Sequence, residues 1–238
     1  MRIVLAFCGL AAAAGVARAD HNNLGDADGN HLFTFGAAWG TLPDHIQHGQ
    51  VGGMFPTHYD LDQSSAEGIH GSYVRTYSEN FVIGFDGIGL WSPMSGQVYD
   101  DTSPSSTGRI ERTTTPQPPQ ARFSGSFFDI DTTVRLGVRA PMAHGRIALS
   151  AGSGLGVSVW KFKPDMDPPD ITNGETRGNP PSGYSLDLHV PAWAQLVVKL
   201  GCQWGGSVMG TYDYDPLAGD SQVIVLAGAS WQPDVRCR

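Results

Sequence analysis

The residues able to do chemistry in this chain fall in a few short windows. Asp129, Asp131, Arg135 and Arg139 stand at odd-numbered positions of one segment, and Asp187, His189 and Lys199 stand at odd-numbered positions of another. Spacing by even numbers puts such groups on one face of an extended strand. With Asp86 and Arg146 they make a candidate network of both charge signs. Charges withdrawn from water are expected to pair, here Asp129 and Asp131 with Arg135 or Arg146. The network therefore reads as a structural ion-pair plug before it reads as a conducting or catalytic path.

Other chemistry is thinner. His45, His48 and His58 share one polar segment, but neither their spacing nor a Cys partner defines a metal site. Asp26-Ala27-Asp28-Gly29-Asn30 looks like a fragment of a calcium loop without its downstream acidic ligand. Gly152-Ser153-Gly154-Leu155-Gly156 loosely matches a nucleophile elbow, yet it sits in mid-strand with no helix after it. Ser185 with His189 is no organised hydrolase pair, because nothing points to a third group. No catalytic, cofactor-binding or metal residue is assigned, and no cofactor is expected.

Those residues are carried on strands. From Phe128 to Val138 apolar and polar residues alternate with a period of two. The same pattern predicts eight strands: His31–Gly40, Glu67–Tyr77, Phe81–Trp91, Ala121–Arg139, Gly145–Phe162, Tyr184–Leu200, Gln203–Tyr214 and Gln222–Trp231. Pro191 falls inside the sixth and deletes a ladder bond, which a bulge could absorb. Thirty-one Gly, 16 Pro and only three Lys argue against a helical protein.

Residues 1–19 read as a secretory signal peptide. Arg2 opens a positive n-region, Ile3 to Val16 form an apolar h-region, and Ala17-Arg18-Ala19 is a small-x-small cleavage site. A short N-terminal segment, 20–30, would precede a barrel domain over 31–232 and a periplasmic tail over 233–238. Cleavage removes two of the 15 basic residues, leaving 13 against 23 acidic ones. That balance disfavours nucleic acid as a partner. Cys202 and Cys237 would be the only cysteines left in an oxidising compartment, and a disulfide between them is expected.

The connections alternate in length. Residues 41–66, 92–120 and 163–183 are long, polar and rich in Pro, whereas Ser78–Asn80, Ala140–His144 and the join near Gly201 are short; Asp215–Ser221 is intermediate. Outer-membrane barrels have short periplasmic turns, longer external loops and an even strand number. No stretch approaches the length of a transmembrane helix, so a membrane form must be a closed barrel.

The hairpin GSYVRTYSENFVIGFDGIGLW (Gly71–Trp91), the Gly-rich GRIALSAGSGLGVSVWKF (Gly145–Phe162) and the closing TYDYDPLAGDSQVIVLAGASW (Thr211–Trp231) resemble the small eight-stranded outer-membrane β-barrels of the outer-membrane protein A and X type. The resemblance implies an all-β, antiparallel up-and-down transmembrane barrel in the cell outer membrane of a Gram-negative cell, monomeric and surrounded by lipid. Tyr73, Tyr77, Phe81, Trp204 and Trp231 would form an inner aromatic girdle, and Trp39, Trp91, Phe123 and Tyr214 an outer one. The expected function is non-enzymatic, a structural or surface-interaction role played through the long loops. The alternatives are a soluble periplasmic or secreted barrel or sandwich that binds a ligand, and an outer-membrane lipid hydrolase or acyltransferase.

Overall fold

A computed structural model describes residues 31–51, 57–77, 80–100, 102–104, 110–112, 121–166, 183–217 and 219–233. Eight strands form the barrel wall: β1 (His31–Thr41), β4 (Ser65–Tyr77), β5 (Phe81–Asp100), β8 (Ala121–Met142), β9 (Ile147–Met166), β10 (Gly183–Lys199), β11 (Trp204–Asp215) and β12 (Asp220–Trp231). Each pairs antiparallel with the next, and β12 returns to pair with β1. This eight-stranded wall is closed and has no free edge.

The register fixes how the barrel closes. Following partners around the wall, His31 meets Arg75, Arg75 meets Ile83, Ile83 meets Leu136, and Leu136 meets Ser153. Ser153 then meets Ala192, Ala192 meets Tyr212, and Tyr212 meets Val223. Val223 lies beside Thr41, whose hydroxyl accepts its backbone N–H at 3.0 Å. One circuit thus ends ten residues up the starting strand. A stagger of this kind tilts the strands and sets the bore of an eight-stranded wall, which side chains can fill.

Alternation decides which face is which, and the result is inside-out. Outward residues are apolar all round the wall: Phe35, Ile69, Phe85, Ile130, Val134, Leu155, Leu188, Leu196, Val208 and Val225 are all exposed. Inward residues include Thr34, Ser72, Asp86, Asp129, Asp131, Arg135, His189, Gln195, Ser207 and Asp213, all buried. A water-soluble barrel would have the opposite arrangement, since burying polar groups beneath an apolar exterior has no advantage in water. A lipid exterior accounts for it. No helix among the described residues is long and apolar enough to cross a membrane.

Aromatic residues mark the inner rim. Phe33 packs against Tyr73 and Trp231 with ring centroids 5.1 and 5.6 Å apart, and Trp204 stacks on Trp231 at 6.1 Å. Tyr77 and Phe81 lie exposed at the same end, with the Arg75 guanidinium 4.8 Å from the Tyr77 ring. Trp39, Trp91, Phe128 and Tyr214 face outward at the other end. Phe123 does not join that girdle. It shares the parity of Asp129 and Asp131, so it points inward, and it is buried.

Where Phe123 goes is explained by strands that overshoot the rim. β5 continues through Ser92–Asp100, into the expected 92–120 loop, and β9 reaches Met166. A four-residue helix α1 (Asp44–Gln47) and a hairpin of β2 (His48–Val51) and β3 (Thr57–Leu61) fill much of the expected 41–66 loop. β3 pairs with the projecting end of β5. Tyr59 of β3 stacks on Phe162 at 6.1 Å and meets Phe123 edge-on at 6.1 Å. Met94, Val98 and Phe127 are buried with them, as are Leu42 before α1 and Ile46 within it, forming a small apolar core over the outer mouth. Two short strands, β6 (Thr102–Pro104) and β7 (Ile110–Arg112), pair with one another within the 92–120 connection.

Two local expectations change. β8 runs through Pro141 and Met142, so the turn lies later, at Ala143–Gly145, where Ala143 and Gly145 take φ of 51° and 77°. Pro191 causes no bulge: the β9–β10 register is the same on both sides of it, and the ladder lapses at Val190 and Pro191. The Pro191 carbonyl instead accepts the Ser153 hydroxyl at 2.8 Å.

Candidate functional site

The lumen is filled in two levels. The one nearer the short turns is centred on Arg135, which is 1% exposed. Its guanidinium forms an ion pair with Asp86, approaches the Met209 sulfur and lies 4.8 Å from the Trp193 ring. Trp193 is itself buried, and its indole N–H donates to the Ser153 carbonyl at 3.1 Å. Side chains from β5, β8, β10 and β11 therefore meet on one guanidinium and block the bore.

The second level lies toward the outer mouth. His189 Nε2 stands 3.2 Å from Asp131 Oδ2 and 3.1 Å from Thr133 Oγ1. The Thr133 hydroxyl lies 3.0 Å from Asp131 Oδ1, to which it donates. Across the bore, the Thr211 hydroxyl donates to Asp213 Oδ2 at 3.1 Å. Asp129 accepts the Ser158 hydroxyl at 2.6 Å, and Asp187 accepts the Trp160 indole N–H at 2.5 Å. A cavity of about 30 Å³ opens above, lined among others by Asp129, Asp187, His189, Asp213, Asp215 and Asp220, with Pro43 and Ile46 as its roof.

Of the expected charge network, Asp86, Asp129, Asp131, Arg135 and His189 are buried in the lumen, and Arg139, Asp187 and Lys199 are half-buried on its wall. The Arg139 guanidinium donates to the Thr76 hydroxyl at 3.2 Å near the inner rim. Arg146 lies elsewhere. It is exposed in the β8–β9 turn, because β9 begins one residue later, at Ile147, and Arg146 never enters the alternation. The expected pairing changes too: Arg135 pairs with Asp86, while Asp131 faces His189. Arg135 and Asp131 are four residues apart on one strand, whereas Asp86 sits opposite Thr133 on the adjoining one, one diagonal step away.

Asp213 belongs to this level and was missing from the sequence-based set. Its parity with Ser207, Thr211 and Met209, opposite Tyr212 and Tyr214, was the available signal. Ser153 and Gly154 of the elbow-like segment lie in mid-strand. His48 pairs with Asp60 at 2.8 Å on the exposed β2–β3 hairpin. Outside the wall, burial raises the Tyr59 phenol above its ordinary range. Residues 20–30, including the calcium-like fragment, and Cys237 lie outside the described residues.

His189 is poorly arranged for nucleophilic catalysis. A catalytic relay needs the hydroxyl and the carboxylate on different ring nitrogens, but Thr133 and Asp131 both address Nε2.

The barrel is similar in fold to two solved structures of Ail, the attachment invasion locus protein of Yersinia pestis. One is in complex with the heparin analogue sucrose octasulfate, at 14% identity and a TM-score of 0.46. The other has 13% identity and a TM-score of 0.45, and each match covers 86% of this chain and 98% of that one. No family model and no curated protein matches the chain.

Proposed function

We propose that this outer-membrane β-barrel is a non-enzymatic surface protein, and that residues 41–66, 92–120 and 163–183 carry its contacts with other surfaces or ligands. The observation that carries the reading is the overshoot of the wall. β5, β8 and β9 are 20, 22 and 20 residues long, whereas a strand crosses the membrane in about 9–11. The excess projects from the outer mouth and is stiffened by the core around Tyr59, Phe123 and Phe162. Neither closing the barrel nor spanning lipid needs such a projection. The plug at Arg135 favours this role over solute passage, and the Nε2 geometry of His189 favours it over hydrolysis.

The same reading includes export by the 1–19 signal peptide, a monomeric barrel surrounded by outer-membrane lipid, and a disulfide between Cys202 and Cys237. Supporting the disulfide, the start of the tail is held beside Cys202. The Gln232 N–H donates to the Gln203 carbonyl at 2.8 Å, and the Gln203 amide donates to the Pro233 carbonyl at 3.2 Å. Closing a loop of about 35 residues is worth about 3–4 kcal/mol in the chain-entropy treatment. Thiol labelling of unreduced, denatured mature protein is expected to find no reactive cysteine. Two per chain would refute the bond.

The surface role is tested by replacing residues 48–61 with a short turn. The variant barrel is expected to keep its heat-modifiable mobility in detergent and its place in the outer-membrane fraction. Adhesion of expressing cells to other cells and to solid surfaces is expected to fall. Equal adhesion by cells expressing the variant, the full chain and no barrel at all would overturn the proposal.

A further inference from the structure

We propose that Asp131, His189 and Asp213 form a binding site for one divalent transition-metal ion, entered from the outer mouth of the barrel. All three are buried, and one ligand atom from each lies within 4.8 Å of the others. Ligand atoms about 2.1 Å from a tetrahedral ion stand about 3.4 Å apart. A contraction of about 1.4 Å at most, within reach of side-chain rotations, therefore brings the set onto one ion.

The groups around the triad are arranged as a metal site needs. Thr133 engages Oδ1 of Asp131 at 3.0 Å, and Thr211 engages Oδ2 of Asp213 at 3.1 Å. Each threonine holds one carboxylate oxygen and leaves the other for an ion, as outer-sphere partners do in metal proteins. Placement of His189 is built into the wall. Thr133, Gly156 and His189 share one row across β8, β9 and β10, and the imidazole lies over Gly156. A Cβ on Gly156 would stand 2.0 Å from Nε2, so this ring position requires glycine there.

Charge gives an independent argument. Asp129, Asp131 and Asp213 are buried at this level. Arg135 is the only buried Lys or Arg among the described residues, and it is engaged by Asp86. Three buried carboxylates here share one imidazole, and a dication would neutralise the excess. The adjoining cavity of about 30 Å³ is the size of about one water, and Asp187, Asp215 and Asp220 line its approach. One imidazole with two carboxylates suits Zn²⁺ and its neighbours better than Ca²⁺ or Mg²⁺, which prefer oxygen alone. Without the ion, Nε2 stands 3.2 Å from Asp131 Oδ2. Ligation by Nε2 requires a free lone pair there, so protons compete with the ion and affinity falls as pH falls.

The test is calorimetric titration of the full mature barrel, in detergent, with Zn²⁺. One ion per chain is expected, with affinity reduced at least tenfold by His189→Asn and by Asp213→Asn. A variant with His45, His48 and His58 all changed to Asn is expected to bind as the parent does. Retained affinity in both lumen variants, loss of binding in the triple-histidine variant, or no binding by the parent would each overturn the proposal. Displacement of Zn²⁺ by an equal concentration of Ca²⁺ or Mg²⁺ would overturn the assignment to a transition metal. If the lumen variants fail to fold, the parent with Co²⁺ decides. Visible ligand-field bands of a bound, low-symmetry ion, bleached by Zn²⁺ and retained in the triple-histidine variant, are expected, and their absence overturns the site.

Discussion

His189 reaches across β9 to Thr133 only because residue 156 has no side chain: a Cβ there would stand 2.0 Å from Nε2 and 2.4 Å from Thr133 Oγ1. Gly156→Ala must therefore swing the imidazole away or push the strands apart. Overpacking of this kind typically costs about 1–3 kcal/mol. Urea unfolding in detergent should show the loss, and an unchanged midpoint would mean that the ring does not lie over the glycine. Asp86 and Arg135 make the second residue-scale test. Removing either alone strands a charge in the lumen and is expected to cost about 3–5 kcal/mol, while replacing both with apolar residues of similar volume should be close to neutral. A double-mutant cycle without coupling would show that the two act independently. Here the sequence told which face each residue occupies but not which partner it meets. Parity is local, whereas the Asp86–Arg135 contact depends on the register between β5 and β8, set by the whole circuit.

At the scale of elements, alternation located the eight wall strands to within a few residues wherever lipid and lumen both select for it. Strand ends beyond the membrane were harder to read, because there the outer face meets water. In β5 the inward set continues as Leu90, Met94 and Val98, but the outward positions carry Pro93, Ser95 and Gln97. That composition looks like a loop when the neighbouring β3 is unknown. The lipid-facing assignment itself is testable in mid-strand. Val134 on β8 and Leu196 on β10 are 51% and 41% exposed on the outside of the wall. Arg at either position is expected to cost about 2–4 kcal/mol at the bilayer midplane. Unfolding measured in lipid bilayers checks this. Two negligible effects would mean that this face does not meet hydrocarbon.

The whole molecule combines a closed wall, a filled bore and a stiff projection on one side, and these are connected. A stagger of ten around eight strands leaves a lumen that side chains can occupy, so the polar residues placed inside by parity have to satisfy one another. They do so in two levels of different character. The inner level gathers Asp86, Arg135, Trp193 and Met209 into a plug. The outer level keeps a small acidic cavity beneath α1. Conduction would need a continuous water path through both, and at the inner level Arg135 and Trp193, 1% and 2% exposed, pack together in the bore. The mature barrel reconstituted in a planar bilayer is therefore expected to show no stepwise conductance. Arg135→Ala should leave it closed as well, because Trp193 and Met209 still span the bore from β10 and β11. Regular unitary steps from the parent protein would mean that the plug opens in the membrane, and the lumen would then have to be regarded as a gated path.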